Sequence, residues 1–144
     1  MRNILLAAIV LGLSEVAFSQ DFNKEYINPS SGYSNAVAVT SGSTKTIYIA
    51  GQVGSGDTLE DQIRSSFQGV LKQLADAKAS FSDVVKMNTY IVNYREEDLV
   101  LFRRIRKEMF GEQNMPANTL VGVTSLATDD IKVEMDAVAI LPVQ

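Results

Sequence analysis

The chain has 144 residues, carries a formal net charge of −4, and contains neither cysteine nor histidine. This length indicates one domain. The composition excludes disulfides, thiol nucleophiles, Ser-His-Asp relays and zinc sites built from His or Cys. The acidic balance argues against a nucleic-acid partner, because neutralising phosphates requires grouped Lys and Arg.

Residues 1–19 have the pattern of a secretory signal peptide. Arg2 gives a positive start, residues 4–13 are a short apolar run, and Ala17-Phe18-Ser19 offers small residues at the expected spacing. We therefore expect cleavage before Gln20, a single domain over residues 20–144, and a periplasmic or secreted protein without a membrane segment after cleavage. A buried N-terminal helix is the alternative.

The sequence of the first part of the domain predicts a β-hairpin. Gln20–Ser31 is polar and is expected to be irregular. Alternating residues predict strands over Tyr33–Thr40 and Thr46–Gln52, joined by a turn at residues 41–43. Gly51 lies at the end of the second strand, where the backbone can approach a ligand closely.

Two helices follow, separated by a strand. Thr58 and Asp61 form a capping-box pattern that opens the first helix, which is expected to end near Ala77. A strand is predicted over Val84–Val92 and a second helix over Glu97–Phe110. The apolar stripe of that helix faces away from a basic group, which consists of Arg103, Arg104, Arg106 and Lys107.

The C-terminal part predicts two more strands, one after Pro116 and one around Glu134. The order ββαβαββ predicts an α+β fold, in which two helices cover one face of a mixed sheet. Glu134 lies within an apolar, β-branched run, and a buried carboxylate needs partners. The alternative is a strand edge where Glu134 reaches water.

Five segments together resemble the Rid family, the YjgF-like enamine/imine deaminases: Gly32-Tyr33-Ser34, Gly51-Gln52, Gln62, Asp83-Val84-Val85-Lys86, and Pro116-Ala117 through Val133-Glu134-Met135. The resemblance implies a chorismate-mutase-like α+β fold and a homotrimer with three interface clefts. It also implies that a small 2-imino acid binds in each cleft and is hydrolysed to a 2-keto acid and ammonia, without a cofactor or a metal.

The chain departs from this family after Pro116-Ala117, where deaminating members have an arginine that grips the substrate carboxylate. Here the residue is Asn118. An amide offers neutral donors in place of a charged fork, a loss of roughly 2 to 4 kcal/mol of binding. We hypothesise that Arg103, or Arg106 one turn away, supplies the positive charge instead. The alternative is a solvated basic face, either alone or paired with acidic residues of a neighbouring subunit.

The resemblance assigns roles to the remaining positions. Glu134 would orient and deprotonate a water, Tyr33 would wall the pocket or donate its hydroxyl, and Gly51 and Leu120 would offer backbone contacts to the substrate. A structural carboxylate that binds a neighbouring subunit's backbone is the alternative for Glu134, and an ordinary core tyrosine is the alternative for Tyr33.

Two functions therefore stay open. One is an imine deaminase whose turnover is weakened or retargeted by Asn118, and the other is a non-catalytic trimer that binds a small metabolite. RNA cleavage, a further label carried in the family, is disfavoured because the chain has no histidine and a pI of about 4.8.

Overall fold

The computed structural model describes residues 22–111 and 114–143. The predicted signal peptide lies outside these residues. Six strands and two α-helices follow one another in the order βββαβαββ. Their bounds are β1 Phe22–Pro29, β2 Ser34–Ser41, β3 Thr44–Val53, α1 Leu59–Asp76, β4 Val84–Val92, α2 Glu96–Phe110, β5 Ala117–Val123 and β6 Val133–Pro142, with a short 3₁₀ helix at Phe81–Asp83 before β4.

The strands form one mixed sheet in the order β1-β2-β3-β6-β4-β5. All neighbouring pairs are antiparallel except β4 and β5, which are parallel. Both helices pack on one face, so β6 alternates: Val133, Met135, Ala137 and Ala139 are buried beneath the helices, and the residues between them face the other way. The α+β prediction is confirmed. We refer below to the face without helices as the open face.

Local interactions define where α1 begins and where α2 ends. Thr58 Oγ1 accepts the Asp61 N–H at 3.1 Å while Asp61 Oδ2 accepts the Thr58 N–H at 3.2 Å, which confirms the predicted capping box. Helix α2 ends at Gly111, whose φ of 69° is a left-handed conformation that glycine adopts without strain. Rings of Phe67 and Phe102 stack between the two helices with centroids 5.6 Å apart.

The expectation of an irregular Gln20–Ser31 is wrong for the segment that forms β1. Among the described residues, this strand pairs only with β2, at the edge of the sheet, and Ile27 is its one buried residue. An edge strand that buries a single side chain has no apolar alternation along it, so its sequence carries no strand signal. The strand conformation of this segment therefore depends on its pairing with β2 and not on local sequence preference.

Candidate functional site

Glu134 lies on a central strand of the sheet. Its strand β6 pairs with β3 on one side and β4 on the other, and Glu134 is opposite Val53 and Tyr90. The strand-edge alternative is therefore wrong. The carboxylate is half-buried on the open face, and it accepts no hydrogen bond from residues 22–111 or 114–143. Its oxygens are available to a water molecule or a ligand.

Gly51 makes room for this carboxylate. A Cβ added to Gly51 would lie 1.6 Å from Glu134 Oε1, far closer than two non-bonded atoms can approach. The register of β3 against β6 shifts between Ile49 and Gln52, a β-bulge that presents the bare Cα of Gly51 to the carboxylate. The space that the sequence suggested for a ligand is thus occupied, in part, by Glu134 itself.

A polar group adjoins Glu134 on the open face. Asp136, two residues further along β6, accepts hydrogen bonds from Asn88 Nδ2 at 2.8 Å and from the Tyr90 hydroxyl at 3.3 Å. Burial raises the pKa of the Tyr90 phenol, and the negative charge of Asp136 raises it further. Tyr90 therefore stays protonated and neutral over the physiological range.

Asn118 lies on the other face of the sheet. It is opposite Met87, a buried residue under the helices, and it lines a narrow pocket together with the side chain of Arg106. Phe67, Phe81, Met87, Met115 and Pro116 complete the lining. The space is about that of one water molecule, so in a single chain the pocket can receive only one end of a ligand.

Arg106 is the basic residue that adjoins Asn118. It is half-buried, its guanidinium carbon lies 5.8 Å from the centre of the Phe102 ring, and within the described ranges it forms no ion pair. Arg103 is exposed, and it is not one of the described residues that line the pocket. Of the two arginines named from the sequence, Arg106 is thus the one whose charge lies beside Asn118.

Arg104 has a different role, in a ring of ion pairs between the helices. It contacts Glu60 at 2.8 Å and Glu108 at 3.0 Å, and Arg64 contacts the same two carboxylates. Arg104 is therefore paired within its own chain, which differs from the solvated or intersubunit face considered above.

In the described part of the chain, neither Tyr33 nor Leu120 lines the pocket beside Asn118. Tyr33 is 58% exposed in the bend before β2, so the core-tyrosine alternative is wrong. Leu120 is opposite Thr89 in β4 and packs partly buried against the core. Its strand β5 is the last in the sheet formed by the described residues. The outer edge of β5 therefore has backbone groups that could pair with another chain.

Four of the residues named from the sequence therefore form two groups on opposite sides of one sheet. Gly51 and Glu134 meet on the open face, and Asn118 and Arg106 meet on the helix side. Sequence reasoning did not single out Asp136 or Tyr90. The period of two along β6 places Asp136 on the same face as Glu134 and would have indicated it. Nothing in the local sequence indicates Tyr90, because its position depends on the register of β4 against β6.

Within residues 22–111 and 114–143, no cluster of three or more His, Cys, Asp or Glu side chains could bind a metal ion. In the same part of the chain, no helix combines the length and the apolar character needed to cross a membrane.

Comparison with known proteins gives a consistent family. A family model described as endoribonuclease L-PSP matches residues 23–141. A 2-iminobutanoate/2-iminopropanoate deaminase from Dermatophagoides farinae is 28% identical over 121 residues, which is 78% of this chain and 88% of the relative. A YjgF/YER057c/UK114 family structure from Mycobacterium tuberculosis matches with a TM-score of 0.70 and 26% identity over 83% of this chain and 100% of its own. A Rid family structure from Yersinia pestis matches with a TM-score of 0.62 and 30% identity over 83% and 99%.

Proposed function

The chain belongs to the YjgF-like Rid family, and we propose from this premise that it hydrolyses reactive 2-imino acids to 2-keto acids and ammonia. The observation that carries the proposal is the position of Glu134, a half-buried carboxylate on a central strand that lies on the bare backbone of Gly51. The relative named as a 2-iminobutanoate/2-iminopropanoate deaminase supports the class of substrate.

The proposed reaction needs only a positioned water and a base. Glu134 orients the water and takes one of its protons as the oxygen bonds to the imine carbon. The electrons of the C=N bond move to nitrogen, which takes up a proton. The nitrogen of the resulting carbinolamine then takes up a second proton, and the C–N bond breaks as ammonia leaves. The carboxylate of Glu134 takes the hydroxyl proton as the keto group forms, which replaces the proton delivered to nitrogen. Holding the water at the carbon is sufficient assistance for this reaction.

Arg106 is proposed to hold the substrate carboxylate in place of the missing family arginine. The support is its position beside Asn118, its partial burial and the lack of an ion-pair partner among the described residues. A guanidinium gives a carboxylate two parallel hydrogen bonds, and Asn118 adds a neutral donor. This geometry favours Arg106 over Arg103 as the cationic residue.

The complete site is proposed to lie between two chains of a homotrimer. Glu134 is on the open face of the sheet, whereas Arg106, on α2, is on the helix side, so a single chain presents the two groups to opposite sides of the sheet. An interface that brings the open face of one protomer against the β5 edge of another would join them. Tyr33, exposed beside β2, and the backbone of Gly51 and Leu120 remain proposed contacts of this cleft.

Ammonia release from imino acids that an amino-acid oxidase generates in the assay tests the proposed activity. We expect a rate above the uncatalysed background, and a fall of about a hundredfold or more in kcat for Glu134→Gln. Asp136→Asn is the matched control, because it removes a carboxylate from the same face of the same strand. Equal losses in both variants, or no rate above background in the native chain, would contradict the proposal.

A non-catalytic trimer that binds a small metabolite is the second candidate, favoured by Asn118 alone. It predicts that a stable 2-keto acid binds to the native chain while ammonia release stays at background. RNA cleavage is not proposed, because an acidic chain without histidine lacks the usual groups for it.

We also propose that the protein is periplasmic or secreted. The support is the signal-peptide pattern of residues 1–19, which lie outside the described residues. Mass spectrometry of protein recovered from outside the cytoplasm should show a chain that begins at Gln20. An intact Met1 there would contradict it.

A further inference from the structure

Two buried glutamines lie next to the bulge that carries Gly51. Gln52 follows Gly51 in β3, is 8% exposed, and donates from Nε2 to the carbonyl oxygen of Ala50 at 3.0 Å. This bond bridges the bulge within β3 and therefore fixes the backbone on either side of Gly51. The register of β3 against β6 shifts over this same stretch.

The second glutamine ties the bulge to helix α1. Gln73 is 5% exposed, and its Nε2 donates to Gln52 Oε1 at 3.3 Å. Asn28 of β1 donates from Nδ2 to Gln73 Oε1 at 2.8 Å and to Asp76 at 2.6 Å. A continuous run of amides thus links β1, α1 and the bulge.

Helix α1 is shaped to admit this run. Gly69 faces Gln52, and a Cβ added to Gly69 would lie 2.9 Å from Gln52 Cβ. The approach of the glutamine to the helix therefore depends on a glycine, which is an unfavourable residue inside a helix. An amide pair between a helix and a sheet also has to be fully hydrogen-bonded to be tolerated, whereas leucine would need no partners. Packing alone gives no reason for either residue type.

We propose that Gln52 and Gln73 are positioning residues, which hold the β3 bulge so that Gly51 receives the carboxylate of Glu134 in its working orientation. The inference rests on the proposed function, because it assigns Glu134 the role of base. Neither glutamine is expected to touch substrate, since both side chains are buried between α1 and the sheet while Glu134 is on the open face.

The test separates positioning from stability by a double variant. Gln52→Leu and Gln73→Leu each leave the other amide buried without its partner, so both are expected to lower Tm. Gln52→Leu/Gln73→Leu removes both amides, and its Tm should recover at least partly. We expect kcat of the double variant to stay about tenfold or more below the native value. KM should change less than about threefold, because the substrate carboxylate is proposed to bind Arg106, away from the two glutamines.

Ser66→Ala is the matched control for a buried change on α1. Ser66 is fully buried, and its hydroxyl has no hydrogen-bond partner in the described part of the chain. We expect this variant to keep kcat within about twofold of the native value.

Gly69→Ala supplies a second route if the leucine variants fail to fold. It keeps every amide and favours the helix, but displaces Gln52 through the added Cβ. A lowered kcat with KM unchanged would agree with the inference. Native kcat in Gly69→Ala and in the double variant would overturn it, as would an equal loss in Ser66→Ala.

Nuclear magnetic resonance distinguishes this inference from the proposed function. The carboxyl carbon of Glu134 and the amide of Gly51 should shift in the double variant and stay in place in Ser66→Ala. Unmoved signals in the double variant would overturn the positioning role. If the native chain releases no ammonia, the proposed function fails, and these signals still decide whether the glutamines position Glu134.

Discussion

At the scale of the residue, Gly51 and Glu134 depend on each other. Gly51→Ala would place a methyl group where Glu134 Oε1 now lies, so the carboxylate or the strand must move. We expect kcat for imine hydrolysis to fall about tenfold to a hundredfold, and overpacking to lower the free energy of unfolding by about 1–3 kcal/mol. Steady-state kinetics and chemical denaturation measure the two effects.

Gly122→Ala is the control for overpacking without displacement of Glu134. Its added Cβ would lie 2.9 Å from Tyr94 Cβ, away from β3. We expect a similar loss of stability and a native kcat. A native kcat in Gly51→Ala as well would show that the carboxylate does not need this position.

The exchange of Arg106 and Asn118 tests which residue holds the substrate carboxylate. Arg106→Asn should raise KM by roughly tenfold to a hundredfold, since a charge-assisted contact is lost. Adding Asn118→Arg to that variant places a guanidinium beside the same pocket and should recover most of the loss. Arg103→Asn should leave KM unchanged. A rise in KM for Arg103→Asn but not for Arg106→Asn would assign the role to Arg103 instead.

At the scale of the element, the two helices are joined by the ring of Glu60, Arg64, Arg104 and Glu108. Hydrogen bonds from Arg104 and then Arg64 hold the pKa of Glu60 below its ordinary value. The same arginines, Arg64 first, lower the pKa of Glu108. A lowered folded-state pKa contributes stability above the unfolded-state value and loses it as the pH falls through the folded-state pKa.

The ring therefore predicts a specific acid dependence. The stability of the native chain should fall as the pH is lowered below about 4.5, the ordinary value for these carboxyls. Glu60→Gln/Glu108→Gln should be less stable at neutral pH and should show a shallower fall below that pH. Tm measured across pH tests this, and Arg103→Gln, outside the ring, should keep the native slope. Equal slopes in all three proteins would contradict the prediction.

Elements with strong local signals could be predicted from the sequence, and the weaker ones could not. The capping box at Thr58 and the strand Val84–Val92 agree with the structure, because caps and alternating apolar residues act locally. Strand β1 was missed, because its one buried residue, Ile27, gives no pattern. The β-bulge at Gly51 also depends on pairing with β6, which is distant in sequence.

At the scale of the whole molecule, the site could be predicted only in part. Glu134 and Gly51 were identified by their likeness to a family motif, and Asn118 by its departure from that motif. The choice between Arg103 and Arg106 needed the pocket beside Asn118. That Glu134 and Asn118 lie on opposite faces of one sheet follows from strand register, because Glu134 is opposite Tyr90 of β4 while Asn118 is opposite Met87, an odd number of residues away. No local pattern in the sequence carries these registers.

The separation of the two faces has a consequence for assembly. If each catalytic cleft takes Glu134 from one protomer and Arg106 from another, an isolated chain has no complete site. Activity should then require the oligomer, and a dilution series followed by size-exclusion chromatography should show activity and trimer lost together. Full activity in a monomeric fraction would contradict shared clefts.

Subunit complementation tests the shared cleft most directly. The Glu134→Gln and Arg106→Met variants of the proposed homotrimer, each nearly inactive at low substrate concentration, are unfolded together in equal amounts and refolded. Mixed trimers contain interfaces at which both native residues meet, so activity should return to about a quarter of the native rate. Mixed trimers verified by native mass spectrometry that stay as inactive as their parents would contradict the account.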